Sequence, residues 1–303
     1  MIRYIEQHKD RFGVEPICRV LGATDAGFLS AGGYYAAISR PPSARMLRDS
    51  QLADKITQIH ADNYGVYGVR KMHAELRRAG IDIGRDQTGR LMRRLGLQGV
   101  RRGKPKRTTT PDQSAARPAD LVERDFTAAR PNQLWVTDIT YIRTWVGFAY
   151  LALVIDVYSR RVVGWALTTH LRTELALEAL EMAIWARDER LAGLIHHSDR
   201  GSQYTAIRYA NTLADVDAVA SVGSRGDSYD NALAESTIGQ IKAELIHRRG
   251  PWRTVEALEF AIFEYLDWWN HRRLHGEIGL IPPAQKETTY YRHQQALTET
   301  ETQ

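Results

Sequence analysis

Three acids stand where an acid is costly. Asp138 lies inside the apolar segment WVTDITYI, Asp199 closes the segment IHHSD, and Glu235 sits in the helical segment DNALAES. Sixty residues separate the first pair and 35 the second. Carboxylates in such surroundings need a partner. Three brought together repel one another unless a cation lies between them, and hard oxygen ligands suit Mg²⁺ or Mn²⁺. The matching chemistry is phosphoryl transfer, in which two metal ions clamp the attacking and leaving oxygens. Each acid alone also has a plainer reading. Asp138 could pair with an arginine or cap a helix, Asp199 could be an N-cap, and Glu235 could belong to a solvated face.

The elements that must position these acids are legible from periodicity. Segments 134–144, 148–158 and 161–168 are rich in β-branched and aromatic residues, with a turn at 145–147 and a corner at 159–160. A helix is expected over 173–190, a short strand over 194–197, a helix over 206–213 and a strand over 217–222. The glycine-containing loop 223–228 leads to a helix over 230–247, whose Ala234, Ile238, Ile241 and Leu245 form one apolar stripe. Asn231, Glu235 and Lys242 recur on an adjacent face. Asp199 thus falls just after a strand, where α/β folds place ligand-binding groups. The adjacent His196 and His197 point to opposite faces of a strand, which argues against one shared metal and for structural roles or the orientation of Asp199. Asp156 reads as a strand-end hydrogen-bonding residue, and Asp227 and Asp230 as capping residues.

The front of the chain differs. Residues 1–96 read as short helices over 14–21, 31–39, 44–63, 68–79 and 86–95, joined by glycine-containing turns as in helix-turn-helix units. Residues 97–130 are basic, then polar and proline-containing, and read as a linker. Residues 1–130 carry 24 Lys and Arg against 14 Asp and Glu; residues 131–303 carry 17 against 22. A basic front attracts polyanionic DNA, although basic residues that merely solubilise the first half would give the same balance. Arg85, Arg90, Arg93 and Arg94 lie on or beside one helix, and Arg101, Arg102, Lys104, Lys106 and Arg107 follow it, a plausible phosphate clamp or groove reader. Arg70 and Lys71 could add to it. The single cysteine, Cys18, excludes a disulfide framework and a cysteine-based zinc site, which fits a reducing cytoplasm. No apolar run reaches the length of a membrane span, and no signal-peptide core opens the chain.

From about residue 14 to about 285 the chain resembles the DDE transposases of bacterial insertion sequences, in particular the second-frame product of the group that uses ribosomal frameshifting. The resemblance rests on the three acidic contexts, their spacing and the segment Asn270-His271-Arg272-Arg273-Leu274-His275. It implies a ribonuclease-H-like α/β core, shared with retroviral integrases, with a five-stranded mixed sheet and flanking helices behind an all-α helix-turn-helix region. The corresponding division is 1–96 for DNA binding, 97–130 linker, 131–250 catalytic core and 251–303 C-terminal helix and polar tail. It implies that Asp138, Asp199 and Glu235 are catalytic and hold two Mg²⁺ ions, with Mn²⁺ as substitute, and that Lys242 contacts DNA; Asn231, on the same helix edge, is a further candidate DNA contact. Water would first free a 3′-OH at the element's end, and that hydroxyl would then attack target DNA. The implied partners are element ends and target DNA, further copies of the chain assembled on DNA, and the first-frame product or its fused form; a nucleoid-associated cytoplasmic protein follows. Arg272 and Arg273 could hold target phosphates, and residues 286–303 are expected to fray. Two other readings stay open: a nuclease of ribonuclease H type, and a catalytically dead DNA-binding regulator.

Overall fold

The structure is a computed structural model and describes residues 1–24, 27–101, 127–187, 191–199, 204, 207–222 and 231–301. Two compact units divide at residue 55: Met1–Lys55 and Ile56–Gln303. The first contains α1 (Ile2–Phe12), α2 (Val14–Gly22) and α3 (Ala31–Ser39), and α4 (Ala44–Asp62) begins in it. Its own small core is Ile5, Val14, Ile17, Cys18 and Tyr34. Ser30 caps α3, its Oγ accepting from Gly33 N at 3.0 Å. The helix α1 has one buried residue, Ile5, which is why no apolar stripe announced it.

The second unit holds α5 (Val69–Arg78) and α6 (Arg85–Arg94), then the sheet, so residues 56–96 pack as one unit with the strands. The strands are β1 (Leu134–Thr144), β2 (Gly147–Asp156), β3 (Val162–Thr168), β4 (Ile195–Ser198) and β5 (Val219–Val222), in the order β3-β2-β1-β4-β5. β1 to β3 form an antiparallel meander, while β4 and β5 run parallel to β1. This is the five-stranded mixed sheet expected from the sequence. β2 is buried without alternation from Leu151 to Asp156 because both faces of the sheet are covered.

Helix α7 (Thr173–Arg187) packs on one face through Leu175, Ala176, Ala179, Leu180 and Ala183, with Trp135, Ala152, Val154 and Val163 beneath it. The approach is close at Gly164 of β3, where a Cβ would stand 2.1 Å from Ala179 O and 2.8 Å from Ala183 Cβ. Backbone cannot step aside as a flexible side chain can. Gly164→Ala is therefore expected to destabilise the fold by about 3 kcal/mol, the upper end for overpacking. Denaturant unfolding checks this, and a midpoint equal to the parent's would refute the close approach.

After α8 (Ile207–Ala214) and β5, α9 (Ala232–Ile241) packs on β1 and widens into a π turn at Lys242–Ile246, then α10 (His247–Arg249). Helix α11 (Val255–His271) buries Trp268 and Trp269. Trp268 packs against Tyr64, the rings tilted by 46° with centroids 4.8 Å apart, and donates its Nε1–H to Asn63 Oδ1 at 3.1 Å. Leu274 N donates to Tyr67 Oη at 2.8 Å. Residues 63–67 are thereby fastened to the end of α11.

The C-terminal segment corrects an expectation. Residues 283–301 form a helix, α12 (Pro283–Glu301), rather than a frayed tail. Glu287, buried within it, accepts from Arg187 Nη1 at 2.9 Å, Arg161 Nη1 at 2.7 Å and Ser159 Oγ at 2.7 Å. Charge pairing with Arg187 of α7 and with Arg161, just before β3, anchors a segment whose composition is polar.

Candidate active site

The register of β1 against β4 sets the site. Thr137 pairs with Ser198, and each is followed by an aspartate, so Asp138, in the middle of β1, lies beside Asp199, the residue just past the end of β4. Neighbouring strands lie about 4.8 Å apart. Both aspartates are partly buried. The third acid is brought in by a side chain: Asn231 Nδ2 donates to Thr137 O at 2.8 Å, and Glu235 N donates to Asn231 O at 3.0 Å. One turn into α9, Glu235 is exposed while its neighbour Ala234 is buried.

Electrostatics couple the three. Burial, then the negative charge of Asp199, and more weakly that of Glu235, push the Asp138 carboxyl up to about 8, against the Ile139 amide and the Lys242 charge. Ile139 N donates to Asp138 Oδ1 at 2.8 Å. Among the described residues, no three His, Cys, Asp or Glu side chains stand close enough to hold one metal ion. The carboxylates are thus neighbours and not a closed cage. Their donor set is all hard oxygen, and the repulsion acting on Asp138 is of the kind a divalent cation relieves.

Lys242 is partly buried, its Nζ 5.2 Å from the centroid of the Tyr141 ring. Burial lowers its pKa and the charge of Asp138 opposes that. Asn231 is buried with its amide engaged on β1, so what the structure gives it is a positioning contact and not an exposed DNA-facing surface. His196 Nε2 lies 3.1 Å from Tyr209 Oη, and His197 Nδ1 lies 2.9 Å from Ser221 Oγ, structural roles for both. Asp156 accepts from Asn132 N at 2.7 Å and from Ser159 N and Oγ at 2.8 Å, a strand-end role. Asp227 and Asp230 lie outside the described residues.

The basic residues divide. Arg85, Arg93, Arg94 and Arg101 are exposed and Arg90 is half-buried, while Thr88, Leu91 and Met92 of α6 face the core. Arg102, Lys104, Lys106 and Arg107 lie outside the described residues, as does most of the expected linker. Arg273 is buried and corrected from a phosphate contact to an internal ion pair. Its Nε donates to Glu244 Oε2 at 2.9 Å and its Nη2 to Glu244 Oε1 at 2.6 Å. Glu244 also accepts from Tyr265 Oη at 2.7 Å. Sequence reasoning missed this network, and it missed Tyr204. That tyrosine is buried, and burial, then the charges of Asp199 and Asp138, raise its hydroxyl's pKa well above the usual value. The one available signal was its place five residues after Asp199.

Residues 128–228 match a family described as integrase core domain, residues 235–294 match a second family of the same description, and residues 47–105 match a family described as HTH-like domain. The chain is 50% identical over 266 residues to proteins assigned as transposases of insertion sequence element IS986/IS6110 in Mycobacterium tuberculosis, covering 86% of this chain and 96% of theirs. It is 42% identical over 295 residues to the transposase for insertion sequence element IS629 of Shigella sonnei, covering 96% of this chain and 97% of that one. Among solved structures, the HTLV-2 integrase catalytic core domain in complex with magnesium is 19% identical over 53% of this chain and 99% of that chain, with a TM-score of 0.41.

Proposed function

This chain belongs to the transposases of insertion sequences, and from that premise we propose that Asp138, Asp199 and Glu235 act as one site that cuts the element's ends and joins the freed 3′-OH to target DNA. The observation that carries the reading is the β1/β4 register, which sets Asp138 beside Asp199, with Asn231 tying the Glu235 helix to the residue before Asp138. When bound, two divalent ions of the magnesium type, with manganese as substitute, would supply nucleophile activation and charge neutralisation for in-line displacement. The three carboxylates would hold them. Asn231 ties the helix to β1 beside Asp138, which would bring Glu235 toward the two aspartates, and Lys242, about 10 Å further along the α-helix axis, would contact a phosphate near the scissile one. No side chain is needed as a nucleophile.

The wider division of labour belongs to the same proposal. Residues 1–96, with Arg85, Arg90, Arg93 and Arg94, and the basic run from Arg101 through Arg102, Lys104, Lys106 and Arg107, would bind DNA ahead of the 131–250 core. Assembly of several copies on DNA, with or without a first-frame product, is part of it. No described helix is long and apolar enough to cross a membrane.

The test is a joining assay with a pre-cleaved duplex of the element's end, a target plasmid and magnesium. Covalent joining is expected. Binding without joining would make the chain a regulator, and cleavage only of the RNA strand of a hybrid would make it a ribonuclease.

Lys242→Ala should lower joining about tenfold, the loss of one charge-assisted contact of about 1.5 kcal/mol. Metal affinity, read by calorimetry, should stay at the parent value. Joining at the parent rate would return Lys242 to a surface lysine.

A further inference from the structure

A cavity of about 270 Å³ opens between the start of α5, the end of α9 and residues 273–280. All of its lining belongs to the second unit. Its volume equals that of several waters at ~30 Å³ each, room for one tetrahedral anion and its solvent. Two cations reach it from α5. Lys71 is half-buried, with its Nζ 5.5 Å from the centroid of the Tyr67 ring, and Arg70 is exposed, its guanidinium lying over Gly276, where a Cβ would stand 3.7 Å from Nη1. Among the described residues neither has a carboxylate within ion-pair distance.

The acids in the lining form no ion pair with these cations, although their charges reach Lys71. Glu244 is committed to Arg273 and Tyr265, and Glu277 is exposed at the rim. Gln240 adds a directed donor: its Oε1 accepts from Arg273 Nη2 at 2.7 Å, which leaves its Nε2 as the free end of the amide. The lining therefore offers two cations and an amide donor in a concave site, on the same helix as Glu235 and five residues beyond it. The Lys71 ammonium is under-compensated as it stands: burial, then Arg273, lower its pKa to about 8 despite Glu244 and Glu277.

We propose that this cavity seats a phosphate group of the DNA backbone, gripped by Lys71, Arg70 and the Gln240 amide. The seat would join the helical segment that precedes the sheet to the helix that carries Glu235, so one strand of bound DNA would be held by both. The inference rests on the transposase reading for the identity of the polyanion and adds a contact point which that reading does not require.

The test uses the full chain. Binding of a duplex carrying the element's terminal sequence is measured against salt for the parent, Lys71→Met, Arg70→Gln and the double variant. Loss of the one seated phosphate, complete in the double variant, should flatten the slope of log K against log salt by about 0.9 and weaken binding about eightfold at 0.1 M salt, with each single variant falling between parent and double. Lys71→Met removes a half-buried, poorly compensated charge, so its melting temperature should equal or exceed the parent's and the comparison stays between folded proteins. A double variant with the parent's slope and affinity overturns the seat. So does a pattern in which inorganic phosphate raises the melting temperature of the parent and not of Lys71→Met while duplex binding is unchanged, because the ligand is then a free anion. The joining assay is read separately: flattened slopes with no joining by the parent would uphold the seat and sink the catalytic reading.

Discussion

Glu235→Gln is expected to cut and join element ends on the order of 10³-fold more slowly than the parent, about 4 kcal/mol of transition-state stabilisation, while binding those ends with unchanged affinity. The amide keeps the shape of the side chain and removes a charge that would hold a cation. Glu235 is exposed, so the folded state loses nothing. Asp138→Asn should abolish activity equally and carry a second signature. The Asp138 carboxyl is raised to about 8 by burial and then by its acidic neighbours, so in the folded chain it takes up a proton that the unfolded chain releases near its usual value. A raised carboxyl costs stability as pH climbs from the usual carboxylate range through about 8, because the folded state then binds more protons than the unfolded one. Without metal, the parent should therefore melt below Asp138→Asn at pH 8. Adding magnesium should raise the parent and leave the variant where it was. Cleavage at the parent rate by Glu235→Gln, or identical melting of the parent and Asp138→Asn at pH 8, would remove these residues from the site.

The second large effect concerns α12. Glu287→Ala should cost about 3–5 kcal/mol, the penalty for leaving a buried cation without its partner. Arg187 is buried and Arg161 partly so, and both spend hydrogen bonds on this one carboxylate. Burial works against the charged form of Glu287, but the bonds and charges of Arg187 and Arg161 outweigh it and hold its pKa below the usual range. A depressed carboxyl stabilises at pH above its unfolded value, and the contribution is lost as pH falls through the acid range. For a unit of this size the neutral-pH loss is a fall in melting temperature of about 10 °C. Replacing Glu287 and Arg187 together by apolar residues should recover most of it. A loss under about 1 kcal/mol for Glu287→Ala would mean that α12 is only loosely attached.

The sheet and the acids were legible because both depend on local pattern. The β-branched runs of β1 to β3 announce strands, and the stripe Ala234, Ile238, Ile241 and Leu245 announces the helix whose buried face it forms. That Asp138 on β1 lies beside Asp199 at the end of β4 is a matter of register, which follows once β1 and β4 are paired. What stayed hidden depends on partners far away in sequence. Arg187 and Glu287 are 100 positions apart, and Glu244 and Arg273 are 29 apart. A polar tail and Arg273 read as solvent-facing and DNA-facing until the chain is folded, when Glu287 of the tail meets Arg187 and Arg273 meets Glu244. Asn231 was legible as a neighbour of Glu235 and not as a tether, because its partner is a strand carbonyl 94 residues earlier.

The π turn at Lys242–Ile246 bears on how this helix should be aligned with those of its relatives. A wide turn accommodates an extra residue without ending the helix, so the angular position of every later side chain is offset from the α-helical count. Glu244, Leu245 and Ile246 are buried in succession, an arc broader than a uniform helix would turn inward. Positions up to Ile241 can be matched to another chain by the 3.6-residue count, and those from Lys242 onward need a one-residue offset wherever the other chain lacks the wide turn. A gap placed anywhere else along this helix would pair Glu244 with a position that does not face an Arg273 equivalent, and an internal ion pair would be mistaken for a surface difference.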